Sequence, residues 1–208
     1  MAGNFYLTTA ELVAFGLEDS TDPALIRVAS DLVDAFCQRP SLLVAQYTER
    51  NRLPKQLPVT RVTFTPLAIP EGATSPFSLV RVRQGIPRGP ETETLAGLLA
   101  PFGGPPAWVE LDHNRIDFRA ETGEVWLPAS LFGDRYSEVE LTYTAGYTSV
   151  PEAVKLACAQ IIRNIESHPA ANVKTALLDR LQLEYFAGSL LDDDARRLLA
   201  PFVALRLN

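Results

Sequence analysis

Three consecutive carboxylates, Asp192-Asp193-Asp194, form the densest group of potential metal or acid–base residues in the chain. On a helix successive side chains diverge by roughly 100°, so these three cannot close on one ion, and no second carboxylate or histidine cluster stands at a readable spacing from them. At the head of an apolar-periodic segment they read as helix capping and dipole compensation. The two histidines, His113 and His168, lack ligand spacing and read as a surface turn and a helix terminus before a proline. Cys37 and Cys158 fall on helical patterns far apart in sequence, without the pairing of a zinc or redox motif, and read as reduced, buried small hydrophobes. The chain carries no Gly-x-Ser-x-Gly elbow, no His-Glu-x-x-His and no Gly-Lys-Ser/Thr phosphate loop. Gly103-Gly104-Pro105-Pro106 is not followed by a helix start and reads as a rigid linker. The residues therefore assign no catalytic, metal or cofactor site.

Arg81, Arg83 and Arg88 are the remaining candidates for a binding surface, either facing phosphates or forming the wet face of an alternating strand. A net charge of −6 argues against holding nucleic acid by charge, because phosphate neutralisation dominates such binding. An acidic surface is compatible with a wall past which DNA moves without sticking. With 208 residues, 47% of them hydrophobic, the chain can bury a real core in one large domain or two small ones. No run approaches the roughly 18 apolar residues of a membrane helix, and Met1-Ala2-Gly3-Asn4-Phe5 does not open a signal peptide, so cytoplasmic synthesis is expected.

Certain elements must position these residues. Thr8-Thr9-Ala10-Glu11 is a capping box opening a first helical segment that Gly16 ends. Asp22 as N-cap and Pro23 at the first position open a second helix with an apolar stripe of Leu25, Val28, Ala29, Leu32, Val33 and Phe36. Its expected partner is a helix carrying Val154, Ala157, Cys158, Ile161 and Ile165. Residues 51–104 are rich in Pro and Gly, with β-favouring runs at 59–64 and 78–83; in the second, Val80 and Val82 alternate with Arg81 and Arg83. Residues 86–90 read as a loop and 92–99 as a short helix or ordered arm. A meander is expected over 108–112, 115–119, 125–127 and 137–143, turning at His113-Asn114 and Thr122-Gly123, with Trp108 and Trp126 in the sheet core. A further helix carrying Ala176, Leu177, Leu181, Tyr185 and Phe186 is expected to end at Gly188, and a last helix runs from Asp192 towards Pro201.

The most informative stretch joins strand to helix. The alternating strand Val139-Glu140-Leu141-Thr142-Tyr143 breaks at Thr144-Ala145-Gly146-Tyr147, where Gly146 is the expected φ > 0 residue, and the helix restarts at Val150-Pro151-Glu152. Tyr143 and Tyr147 flank the turn and are expected to pack its two arms. This phrase, continued by Ala153-Val154-Lys155-Leu156-Ala157, resembles the strand-to-helix junction of tailed-phage head–tail connector proteins, the adaptor or head-completion family. The order of N-terminal helices, β-rich insertion, junction helix and closing helix 191–202 is similar too.

The resemblance implies an α+β fold: a helical core built from both chain ends, residues 1–50 and 148–208, around an inserted antiparallel β-rich domain, 51–147. It implies a non-enzymatic virion protein of the neck, assembled in the host cytoplasm. Such proteins form a ring, commonly of twelve copies, between the portal protein and a stopper or tail-completion protein, around a channel that packaged DNA crosses without specific binding. The apolar C-terminal stretch, Leu199, Phe202, Val203, Leu205, Arg206 and Leu207, would be its portal interface, the alternative being a tail folded back on the protein's own helices; Tyr143, Gly146, Tyr147 and Pro151 would be its structural junction. Neither a cofactor nor a membrane is implied. Other β-rich virion proteins, a tail terminator or a baseplate component, are alternatives, and a small hydrolase is the alternative of another class.

Overall fold

The computed structural model describes residues 5–54, 58–83, 107–128, 136–167 and 190–204, and the backbone alone of 175–178 and 181–184. The fold is mixed α+β, with three α-helices and antiparallel sheets among the described residues. Its contacts divide into two compact units, one built from Met1–Leu42 and Ser149–Ala204, the other around Leu43–Thr148.

The first unit is helical. Thr8 opens a single 3-10 turn, Thr9–Glu11, where a longer helix was expected; the Glu11 carboxylate accepts from Thr8 N at 3.0 Å and from its hydroxyl at 2.7 Å. A second such turn, Val13–Phe15, ends at Gly16 in the left-handed region, φ 74°. Helix α1, Pro23–Cys37, begins where the sequence places it, with the Asp22 carboxylate accepting from Ala24 N at 2.8 Å and Pro23 in the first turn. Its buried face is rotated from the expected stripe: Ile26, Ala29, Ser30, Val33 and Cys37 are inside, while Val28 is 46% exposed. Ser30 tolerates that position because its hydroxyl donates to Ile26 O at 2.8 Å and accepts from Tyr6 N at 3.1 Å. Helix α2, Glu152–Ser167, buries Val154, Ala157, Cys158, Ile161 and Ile162 and packs on α1 and on α3, Asp193–Leu199. Burying each of the two isoleucines contributes about 1.5–3 kcal/mol.

Between α2 and α3 the chain forms a hairpin, β8 (Thr175–Leu178) paired antiparallel with β9 (Leu181–Glu184), in place of the expected helix. The apolar residues there fit helical spacing through Leu177 and Leu181, but Leu181-Gln182-Leu183-Glu184 also alternates with period two. A run this short satisfies both patterns, and here the strand wins.

The second unit has two antiparallel sheets over one core. Strand β1, Ala45–Arg52, already opens ahead of residue 51; β7, Glu138–Ala145, lies between β1 and β3, Phe77–Arg83, and β4, Val109–Glu110, extends the sheet to give the order β1-β7-β3-β4. The smaller sheet is β2 (Val59–Arg61), β6 (Glu124–Trp126) and β5 (Asp117–Arg119) in the order β2-β6-β5. Val80, Val82, Val139, Leu141 and Tyr143 from the larger sheet meet Val62, Val125 and Leu127 around the smaller one. Of the expected consecutive meander only β5 and β6 pair as neighbours, across Thr122-Gly123; β4 pairs with β3, and β7 with β1 and β3. Instead of reversing the chain, His113–Arg115 forms a 3-10 turn capped by Asp112, which accepts from Asn114 N at 3.0 Å, and β4 and β5 end in different sheets. Alternation fixes which side chains are inside but not which strand lies alongside.

Candidate functional site

At the junction the strand runs two residues past its expected end at Tyr143. Strand β7 ends at Ala145, Gly146 takes φ 123°, and Pro151 O accepts from Val154 N at 2.9 Å at the start of α2. Glu152 stands in the first helical turn, where its charge suits the helix dipole. Glycine is required at 146 on a second ground: a Cβ there would lie 2.5 Å from Leu43 O. Tyr143 is fully buried, and its hydroxyl donates to Glu49 Oε1 at 2.5 Å and accepts from Phe64 N at 3.2 Å. The other Glu49 oxygen accepts from Thr63 N at 3.1 Å. Burial, and then the neighbouring Glu49, push the Tyr143 hydroxyl far above its ordinary pKa, so it stays protonated as the donor. Tyr147 is half-buried and its carbonyl accepts from Val44 N at 3.2 Å. These contacts are structural, joining strand to loop.

The outer face of the larger sheet is where charge converges. On β7, Glu138 and Glu140 point away from the core; the register sets Arg52 and Arg83 on either side of Glu138, and Arg50 and Arg81 on either side of Glu140. Side chains reach diagonally across these rungs. One oxygen of Glu138 takes Arg50 at 2.6 Å and Arg83 at 2.7 Å, while Glu140 pairs with Arg81. The guanidiniums of Arg50 and Arg83 each stand 4.8 Å from the Trp108 ring centroid, within cation–π range. Hydrogen bonding from Arg50, with Arg83 beside it, holds the Glu138 carboxyl below its ordinary range. Arg52 makes no ion pair among the described residues. Arg50, Asn51, Arg52, Arg83 and Glu138 line a cleft of about 390 Å³. Guanidinium forks in this lining can hold and orient an anion, while the Glu138 carboxylate is engaged by Arg50 and Arg83.

Of the expected candidates, Arg81 and Arg83 belong to this face; Arg88, His168, Leu205, Arg206, Leu207 and the segments 86–90, 92–99 and 103–106 lie outside the described residues. Trp108 and Trp126 are not core aromatics: both are half-buried, Trp126 lying beneath Arg119 at 5.3 Å. Phe77, Phe118 and Tyr143 fill that place. Among the acidic residues, Asp192 is the N-cap of α3, accepting from Ala195 N at 2.7 Å and from Gln160 at 3.0 Å, whereas the side chains of Asp193 and Asp194 are 87% and 83% exposed. No group of three or more His, Cys, Asp or Glu among the described residues is arranged to hold a metal ion. Cys37 and Cys158 are free and buried, and burial pushes their thiols up to about 11 and about 12. Leu199 is fully buried and cannot serve as an exposed anchor; the last helix must turn it inward to close on α2. Phe202 and Val203 are half-buried, and Ala204 N donates to Cys37 O at 2.8 Å, so the chain is tied to α1 as far as Ala204.

Sequence reasoning missed Arg50, Arg52 and Glu138. Their signal is the alternation of Gln46, Thr48, Arg50 and Arg52, obscured because the opposite face carries Glu49 and Asn51 as well as Tyr47.

No protein-family model matches the chain, and no curated protein matches it. Among solved structures it is similar to a chain of "Neck of native GTA particle computed with C12 symmetry", at 13% identity and a TM-score of 0.47, over 100% of this chain and 98% of that one. No helix among the described residues is long and apolar enough to cross a membrane.

Proposed function

We propose that this chain is a structural protein of a phage-like neck, an adaptor that assembles as a ring, commonly twelvefold in the family it resembles, between a portal protein and a stopper or tail-completion protein. The reading rests on one observation, the β7–Gly146–Pro151–α2 junction, whose phrase carries the resemblance and whose geometry has its glycine and proline in the roles that phrase requires. In this reading packaged DNA passes the ring without specific binding, and the chain performs no catalysis. Portal attachment falls to Leu205, Arg206 and Leu207, with Phe202 and Val203 beside them, while Leu199 serves the core.

Co-purification with a portal protein encoded alongside the chain, followed by negative-stain imaging, tests the reading. The expected result is a closed ring on the portal. A tight twofold dimer indifferent to portal would exclude it. Truncation after Ala204 tests the attachment: the melting temperature should stay near the full-length value, because the Ala204–Cys37 bond is kept, while portal binding is lost.

A further inference from the structure

Strand β1 is the longest open edge of the two sheets in the second unit. It ends the larger sheet, with eight residues in unbroken register on β7 and no strand on its other side among the described residues. In an antiparallel ladder alternate residues turn both backbone groups towards one neighbour. Leu53 N donates to Ser137 O at 2.8 Å, which sets the odd positions of β1 towards β7. The N–H and C=O groups of Gln46, Thr48, Arg50 and Arg52 therefore point away from the sheet, and all four residues are exposed. The other edges are short or taken. β4 and β5 offer two and three residues. At β2 the outward groups are met by side chains of β1: Arg61 O accepts from Asn51 Nδ2 at 3.2 Å, and Thr63 N donates to Glu49 Oε2 at 3.1 Å. β1 itself has no proline, lysine or bulge, the usual means of closing an exposed edge.

We infer that β1 is a docking edge for an extended segment of another protein, one that pairs antiparallel to it and carries carboxylates opposite Arg50 and Arg52. Main-chain pairing supplies the affinity in this mode, and alternate side chains supply the selectivity. Residues directly opposite in such a pair project from the same face, so an acidic residue facing Arg50 stands one strand spacing away, about 5 Å. Glu140 lies on β7, on the far side of β1 from the incoming strand, and Glu110 lies two strands beyond that. Arg50 is already held by Glu138 and Trp108, whereas Arg52 makes no ion pair among the described residues, so a carboxylate opposite it meets an unanswered cation. A second copy of β1 fits less well. Full antiparallel overlap would set Arg50 and Arg52 against Thr48 and Gln46, with no carboxylate among the exposed positions. The inference goes beyond the neck reading and needs only β1 and its neighbours in the sheet.

Hydrogen exchange of the full chain, read amide by amide by NMR, tests it with a peptide of about ten residues alternating Glu with Val, long enough to cover the edge. In the free chain the amides of Gln46, Thr48, Arg50 and Arg52 should exchange fast, while those of Tyr47, Glu49 and Asn51 are protected by β7. Saturating peptide should slow the four outward amides at least about tenfold. Fluorescence anisotropy of the labelled peptide should give a dissociation constant of about 1 mM or tighter. N-methylating the Glu amides, which in this register face β1, should weaken binding at least about tenfold, whereas N-methylating the Val amides, which face away, should leave it unchanged. Arg52→Glu, which breaks no described ion pair, should weaken the peptide about two- to fivefold and strengthen a version with Lys in place of Glu. Outward amides already protected in the free chain, no binding of the peptide, or equal effects of the two methylation patterns would each overturn the inference. Slowing of the same four amides on raising the concentration of the chain alone would assign the edge to a second copy and overturn it as well.

Discussion

The hydroxyl of Tyr143 partners the Phe64 amide and one oxygen of the Glu49 carboxylate, whose other oxygen accepts from Thr63 N. Tyr143→Phe keeps the ring and removes both bonds, so the cost is that of unsatisfied polar groups, about 1–3 kcal/mol, read as a lowered urea midpoint. Charge acts on a second residue. Glu11 is lowered from its ordinary 4.5 to about 2, first by hydrogen bonding from Lys155 at 2.6 Å and then by Thr8. A depressed acid stabilises the fold at pH above 4.5, and the contribution fades as pH falls through about 2. In thermal melts, wild type should exceed Glu11→Gln at neutral pH, and the gap should close as pH falls through that window. A gap that widens on acidification would contradict the assigned role.

Among the elements, the junction is the most constrained. Gly146→Ala sets a Cβ 2.5 Å from Leu43 O at a φ of 123°, so strain and overlap add to about 2–4 kcal/mol. Gly16→Ala, at φ 74° with nothing within 4 Å, costs about 1 kcal/mol. Denaturant midpoints should rank the two in that order; equal losses would remove the close approach as a cause. Helix starts were legible because a cap is local chemistry: Asp22 and Asp192 each accept from an amide within three residues. Strand partners were not, since β4 and β5, neighbours in sequence, pair in different sheets.

For the molecule as a whole, net charge governs what it avoids. At −6, with the described arginines of the larger sheet interleaved by glutamates, little unopposed cation remains for phosphate. Anisotropy of a short labelled duplex should show no sub-micromolar binding at about 0.15 M salt. Tight binding that falls steeply with added salt would reverse this and place DNA on the protein itself.

By itself the sequence determined the local features: caps at Thr8, Asp22 and Asp192, the glycine turns at 16, 123 and 146, the inward Val80 and Val82, and the buried thiols of Cys37 and Cys158. Each follows from a residue's own stereochemistry or from period along the chain. Only the tertiary structure decided the rest. It set the rotation of the α1 stripe, the β8–β9 hairpin where helical and alternating patterns coincide, and the burial of Leu199. It also gathered Arg50, Arg83, Glu138 and Trp108 from four separate stretches onto one sheet face. That cluster depends on β7 lying between β1 and β3. Pairing across 55 to 88 residues is settled by how the whole core closes, and no local pattern encodes it.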